Sequence, residues 1–548
     1  MNENYIYPYK TDPIYAKKVC YCCMEFGVDQ ALKIYAGGLG FLAGSYMKSA
    51  YELKQPIIGV GILWKYGYYD QIRKTDQTMD VLFEEKNYGL LKLTNIKFTI
   101  KISNHDVWVT AYYLSPEIFN TAPIYLLSTD IPENDYLAKT ISHKLYDANP
   151  ETRIAAAILL GEGSAKLMET LKWNPDIFHL NESHALPIAF YLYNKYQSIE
   201  KVKDCLVFTN HTPEEMGNPK LYLRLLEKMG YLENNSIIEI KKITQTEGDI
   251  LDITLAALKL SKKANAVSKL HLDTLQRMWN KNNEINKLIS ITNGQNYTYW
   301  HNEEMYIAIN NNDDIELNRL KEKGKKVLFE IVADQCGEIY NQNILTIVFA
   351  KRFTGYKRPD ILFHDMDRFV RLVTNKNLPV QIIWAGKPYP MDYNAIGVFD
   401  KIVNICKTYS NCSILSGYEL KLSKIMKQGA DIWLNVPRKS HEASGTSGIT
   451  AAMNGAINVA IPDGWFPEFA KNEINSFIIN SADSNLPEHL IDDMDSASLY
   501  DLLENTIIPM YYNDKKKWNE IVKQGMKDIY PLYDSNRMAN EYYELLYK

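Results

Sequence analysis

The 548-residue chain has little that would tie it to a membrane, a nucleic acid or an oxidising compartment. No run approaches the roughly 20 apolar residues of a membrane helix, so no membrane partner is expected. The first thirteen residues carry neither a charged leader nor an apolar core, and no signal peptide is expected. Cysteines number only seven, an odd count. Cys20, Cys22 and Cys23 cluster on an expected strand, where Cys20 and Cys22 share one face. No further Cys or His stands at ligand spacing, so the expectation is reduced core thiols in a cytoplasmic protein and no metal. The net charge is −5, without the positive excess of a nucleic-acid coat, and no nucleic-acid partner is expected. There is no internal repeat and no low-complexity segment.

What is present reads as α/β. Short, β-branched, nearly continuous apolar runs alternate with helical stretches, as parallel strands covered on both faces should. In the first half they are Val19–Met24, Ile57–Leu63, Ile124–Ser128, Ile177–Asn181 and Leu206–Thr209. In the second half they are Leu345–Ala350, Val380–Ala385, Cys412–Leu415, Ile432–Leu434 and Ile457–Ile461. The length predicts two or more domains. Ile309–Lys326 is polar with a basic end, and reads as a solvated connector with a boundary near 325. Residues 1–325 and 326–496 are expected as Rossmann-like domains, and 497–548 as terminal helices packing back on the first.

The polar motifs fall at expected strand ends, where open α/β sheets place their ligands. A glycine turn containing Gly37, Gly38, Leu39, Gly40 and Gly44 follows Met24–Gly27, and its amides could approach an anion closely. Asn181-Glu182-Ser183-His184 and Thr209-Asn210-His211-Thr212 put two histidines at two strand ends of one sheet. Thr292-Asn293-Gly294 could present an amide to a hydroxyl. Lys351-Arg352-Phe353-Thr354-Gly355-Tyr356-Lys357-Arg358 holds four cations in eight residues, which would repel one another unless an anion sat among them. Ala385-Gly386-Lys387 adds another cation. Glu442-Ala443-Ser444-Gly445-Thr446-Ser447-Gly448 offers hydroxyls, amides and a carboxylate ahead of an expected helix Thr450–Gly455. The 39 tyrosines suit flat sugar surfaces, but also ordinary cores and strands.

Eight of these segments, in this order and spanning most of the chain, resemble the α-glucan (glycogen or starch) phosphorylases, in a short form. The resemblance implies the GT-B architecture: two Rossmann-like domains facing across a cleft, the first on the glucan acceptor side and the second on the phosphate or donor side. It implies retaining transfer of glucose between an α-1,4-glucan end and phosphate. By resemblance, Arg352 and Lys357 hold phosphate and His211 lies beside the reacting sugar. Gly38, Leu39 and Gly40 face the phosphate. His184, Asn293, Tyr356, Gly386, Lys387 and the run Glu442, Ala443, Ser444, Gly445 and Thr446 contact substrate. Many family members are dimers, so a homodimer stays open.

The resemblance breaks at Thr450. There the family carries the lysine that holds pyridoxal phosphate, and a hydroxyl cannot form that bond. No covalent pyridoxal phosphate is therefore expected at this position; non-covalent binding stays open. Glycogen synthases carry a ribose-contacting Glu at the corresponding place, so Thr450 matches neither group. Its small side chain leaves room for a ribose. Three functions follow. The first is transfer from a nucleotide-sugar donor to a glycan. The second is phosphorolysis of an α-glucan to glucose 1-phosphate with non-covalent cofactor. The third is glucan binding without turnover.

Overall fold

A computed structural model describes residues 5–214, 217–279, 285 and 287–548. It divides into two compact units. The first comprises 1–69, 83–296 and 535–548; the second comprises 70–82 and 297–534.

Among the described residues of the first unit, the main sheet has nine strands. Their spatial order is Leu288–Ser290, Lys263–Ala266, Leu206–Thr209, Ile177–Asn181, Val19–Cys22, Ile57–Ile62, Ile124–Ser128, His105–Leu114 and Lys92–Ile102. The first seven are parallel, and the last two join antiparallel. The parallel strands from Val19 to Thr209 are buried throughout because helices cover both faces, which is why their sequences are continuously apolar. The last residues of the chain close this unit: Tyr547 and Tyr46 share a hydroxyl contact at 2.7 Å, and Ser535 meets Ser49 at 2.6 Å.

The main sheet of the second unit has six parallel strands among the described residues. They run Cys412–Leu415, Val380–Ala385, Leu345–Ala350, Ile432–Asn435, Ile457–Ala460 and Phe477–Ile478. Numbered along the chain, that order is 3-2-1-4-5-6, the doubly wound arrangement of a dinucleotide-type sheet. The order reverses between Leu345–Ala350 and Ile432–Asn435, so loops leaving these two strands diverge and open a crevice at their carboxyl ends. Both units are Rossmann-like α/β layers, and the fold is of the GT-B class.

The boundary expected near 325 falls inside a continuous helix, Asp314–Cys336, and the units divide at 296/297 instead. The basic end of the expected connector is only partly solvated: Lys323 and Lys326 are exposed, but Lys321 and Lys325 are not. Lys325 is buried and pairs with Asp431 at 2.6 Å, while Lys321 donates to the carbonyls of Ala430 and Asn454, both at 2.8 Å. Helices up to residue 534 belong to the second unit rather than to the first. Tyr512, for example, donates to Pro379 O at 2.5 Å. Only 535–548 return to the first unit. The long hairpin Lys92–Ile102 to His105–Leu114 was not anticipated. It turns on Ser103 and Asn104, both with positive φ, as a tight hairpin requires. Among the described residues no helix is long and apolar enough to cross a membrane.

Candidate functional site

In the second unit the cationic segment leaves the switch-point strand Leu345–Ala350. Lys351 is buried and its Nζ donates to Asn435 Oδ1 at the end of the strand across the switch point. Burial, and then the nearby Lys357 charge, push its amine well below the usual lysine range. Lys357 pairs with Glu442 at 2.5 Å. Burial is the largest single influence and would lower it, but the Glu442 charge and hydrogen bond together with Tyr356 outweigh burial and raise the amine to about 12. Arg358 is buried and contacts Asp492 at 2.9 Å and Asp495 at 2.8 Å, and also donates to the Val436 and Pro437 carbonyls. Arg352 is exposed. The expectation of four mutually repelling cations is thus corrected: carboxylates far along the chain already face Lys357 and Arg358. Lys387 is likewise paired, with Glu419 at 2.6 Å.

The Glu442–Thr446 loop is held from behind. Asp463 Oδ2 accepts from Glu442 N at 2.9 Å, and Trp465 N donates to Ser444 O at 3.1 Å. Burial, reinforced by the Glu442 charge, lifts the Asp463 carboxyl to about 7. Gly445 has φ +80 and wraps round Glu442, where an added Cβ would lie 3.1 Å from Cγ. Gly386 packs so closely on Lys351 O that a Cβ would stand 2.0 Å from it. Ser444 Oγ is buried and has no hydrogen-bond partner among the described residues. Tyr356 stacks on His441 with ring centres 6.1 Å apart.

The helix begins at Ser447, three residues earlier than expected, with Thr446 as its N-cap. Thr450 is therefore inside the helix. It is buried, and its hydroxyl donates to Ser447 O at 3.1 Å.

The first unit assembles a different set. Gly38, Leu39 and Gly40 form the first turn of helix Gly38–Glu52, which has no side-chain cap. The two amides before it, Ala36 and Gly37, donate to Glu25 Oε2 at 2.6 and 3.1 Å. Glu25 also accepts from Tyr146 Oη at 2.7 Å, and the Tyr146 ring lies 5.8 Å from His184. Glu182 adopts φ +69, strained for a residue with a Cβ. Its carboxylate accepts from Ser183 N, His211 N and Thr212 Oγ1. His211 Nε2 meets Asn181 Oδ1 at 2.7 Å. Burial pushes His211 down to about 3, helped by His271 and His184, and burial pushes His184 and His271 to about 4. These imidazoles are neutral at ordinary pH. His184 Nδ1 and Asn293 Oδ1 are buried without a hydrogen-bond partner among the described residues.

Within their own units, then, the expected residues do gather at strand ends. Sequence reading missed Glu25, Tyr146, Glu182, Asn181, His271, Asn435, Glu419 and Asp463. Glu25, Asn181 and Glu182 lay inside quoted motifs and could have been found there. Glu419 and Asp463 carry no local signal.

A sequence model of the carbohydrate phosphorylase family matches residues 253–478, and one of the starch synthase catalytic domain matches 28–290. The chain is 44% identical to uncharacterized protein MJ1631 of Methanocaldococcus jannaschii, covering 97% of this chain and 100% of that protein. It is 32% identical to maltodextrin phosphorylase of Thermococcus litoralis, over 98% of this chain and 71% of that protein. It is 29% identical to glycogen phosphorylase of Aquifex aeolicus, over 98% and 87% respectively. With its strand-end cations, its carboxylate loop and these relatives, the chain belongs to the α-glucan (carbohydrate) phosphorylase family.

Proposed function

We propose that this protein moves a glucosyl unit between an α-glucan and inorganic phosphate, releasing or consuming glucose 1-phosphate. The observation that carries this reading is the Lys357–Glu442 pair at 2.5 Å beside the switch point. It supports the reading because a cation that could hold phosphate stands beside a carboxylate that could accept from sugar hydroxyls, complementary to the two halves of a glycosyl phosphate. Cleaving the glycosidic bond builds positive character on the sugar and negative charge on the phosphate. Lys357 and the exposed Arg352 would stabilise that phosphate, and Glu442 and Ser444 would orient the sugar. In the first unit the neutral imidazoles of His184 and His211 can hydrogen-bond a sugar hydroxyl without adding a fixed charge there.

Pyridoxal phosphate fits this unit on its phosphate side, because Lys357 stays charged and Arg352 is open to solvent. When bound, the group supplies a second phosphate that can exchange a proton with the substrate phosphate. Thr450 supplies no amine for it.

A second reading is transfer from a nucleotide sugar to a glycan. It draws support from the starch-synthase-type match over 28–290. Its prospect of a Thr450 contact to ribose is weakened, since the Thr450 donor is engaged within its own helix. A purely binding protein would have no reason to keep Lys357, Glu442 and Arg352 together.

The test supplies maltodextrin and phosphate, with and without pyridoxal phosphate, and measures glucose 1-phosphate. A parallel reaction supplies nucleoside diphosphate glucose and measures nucleoside diphosphate. Glucose 1-phosphate formation is expected, and Arg352→Ala should lower it by about 10²-fold or more. Nucleoside diphosphate release without phosphorolysis would replace this reading with the second; no product from either donor would leave glucan binding alone.

A further inference from the structure

Part of the second unit comes from the middle of the first unit's stretch of chain. Residues 70–82 belong to the second unit, while 1–69 and 83–296 on either side of them belong to the first. They form an antiparallel hairpin in which Asp70–Arg73 pairs with Met79–Leu82. The turn closes locally: Thr78 N donates to Asp76 Oδ1 at 3.0 Å, and Lys74 N donates to Thr78 O at 2.8 Å. Polar contacts then seat the hairpin on the second unit. Met79 N donates to Asp400 Oδ1 at 2.9 Å, and Arg73 donates to Ser416 Oγ at 2.9 Å and to Ile414 O.

Gln71, buried on this hairpin, joins two loops of the second unit. Its Nε2 donates to Gly386 O at 3.0 Å, and its Oε1 accepts from Gly417 N at 3.0 Å. Gly386 directly follows the strand Val380–Ala385, and Gly417 lies just after Cys412–Leu415. The same two loops carry Lys387 and Glu419, the buried pair at 2.6 Å. One neutral amide and one ion pair therefore tie the same two strand ends. Gly386 is also held by the start of the cationic segment, because it packs on Lys351 O and Phe353 N donates to Lys387 O at 3.4 Å. The join at Gln71 asks for a donor and an acceptor on one planar group. A carboxamide offers both, a carboxylate only accepts, and an alkyl or thioether chain would leave the Gly386 carbonyl and the Gly417 amide without this partner.

We propose that Gln71 is a positioning residue for substrate binding in the second unit, fixing the Lys387 ammonium through the Gly386 backbone and the loop that carries Glu419. It acts on the ligand only through Lys387. A segment embedded in the first unit's chain thus sets the geometry of a ligand loop in the second. The inference rests on the phosphorolysis reading for the identity of the ligand, inorganic phosphate; the clamp itself is read without turnover.

The full chain is compared with Gln71→Met and Gln71→Glu. In Gln71→Met, amide hydrogen exchange in the peptide containing Gly417 should quicken by about tenfold. Binding of inorganic phosphate, measured by calorimetry, should weaken by about tenfold. In phosphorolysis of maltodextrin the KM for phosphate should rise likewise, with kcat within about threefold of wild type. A merely destabilised protein would instead lose kcat in proportion to its unfolded fraction and keep its KM. Gln71→Glu tests the amide chemistry, because a protonated carboxyl again has a donor and an acceptor, and burial raises the pH at which it protonates. Its phosphate affinity, as a ratio to wild type at the same pH, should recover between about pH 8 and about pH 6, while the Gln71→Met ratio stays flat. Unchanged exchange or phosphate affinity in Gln71→Met, a flat ratio for Gln71→Glu, or no phosphate binding by the wild type overturns the proposal. Weakened phosphate binding in a protein that forms no glucose 1-phosphate would uphold the clamp and sink the functional reading; phosphorolysis with an unchanged KM in Gln71→Met would do the reverse.

Discussion

The two units solve the same topological problem with opposite electrostatics. Each has a switch point, and in each an asparagine at a strand end reaches across it. Asn181 Nδ2 meets Cys23 Sγ at 3.1 Å in the first unit, and Asn435 Oδ1 receives Lys351 in the second. Around Asn435 the groups are ionic: Lys357, Glu442, Arg358 and its aspartates. Around Asn181 they are imidazoles that burial keeps neutral. A buried charge is held in place by its partner, whereas a buried imidazole gives up its proton instead. One strand-end cluster is therefore held by paired charges and the other by neutral hydrogen-bonding groups. Perturbing each should fail in a different way.

The largest effect is expected at Arg358. Arg358→Met leaves Asp495 buried beside a lost cation while Asp492 keeps Arg438, and should destabilise the second unit by about 3 kcal/mol or more. Chemical denaturation followed by the tryptophans Trp384, Trp433 and Trp465 of that unit would show it. An unchanged midpoint would mean that the ionic network is not structural.

A smaller, pH-dependent effect is expected in the first unit. His211 sits near 3 in the fold and near its ordinary 6.5 when unfolded. Between those values the unfolded chain binds the extra proton, so stability is present above about pH 6.5 and declines as the pH falls toward 3. The slope is at most about 1.4 kcal/mol per pH unit for each such imidazole. Urea midpoints from about pH 7 down to about pH 4.5 should fall for the wild type, and less steeply for His211→Asn. Equal slopes would remove His211 from the account.

The smallest effect calibrates the other two. Lys195 and Glu169 pair at 2.5 Å on the surface of the first unit, each more than two-fifths exposed. Lys195→Ala should change stability by less than about 1 kcal/mol, and 0.5 M salt should erase even that. A larger loss would show that charge matters in the first unit as it does in the second.

Much of this was legible in the chain itself. Parallel strands buried on both faces advertise themselves by continuous β-branched runs, and Ile124–Ser128, Leu206–Thr209, Leu345–Ala350, Val380–Ala385 and Cys412–Leu415 fall where expected. The hairpin Lys92–Leu114 was harder, because one face is solvated and its runs are diluted with Lys, Thr and Asn. The motif residues were visible, but their partners were not. Nothing near Lys357 announces Glu442, and nothing near Arg358 announces Asp492, since such pairs are made by the fold across 85 and 134 residues. The boundary near 325 misled for a related reason. A basic run looks solvated until one knows that Lys325 faces Asp431.

The interrupted course of the chain has a consequence for synthesis. The first unit comprises 1–69, 83–296 and 535–548, so its final piece follows the whole of the second unit in the chain. While the ribosome makes residues 297–534, the hydroxyls of Tyr46 and Ser49 wait for Tyr547 and Ser535. The helix Gly38–Glu52 of the first unit thus completes these contacts only after residues 535–548 have followed the whole second unit.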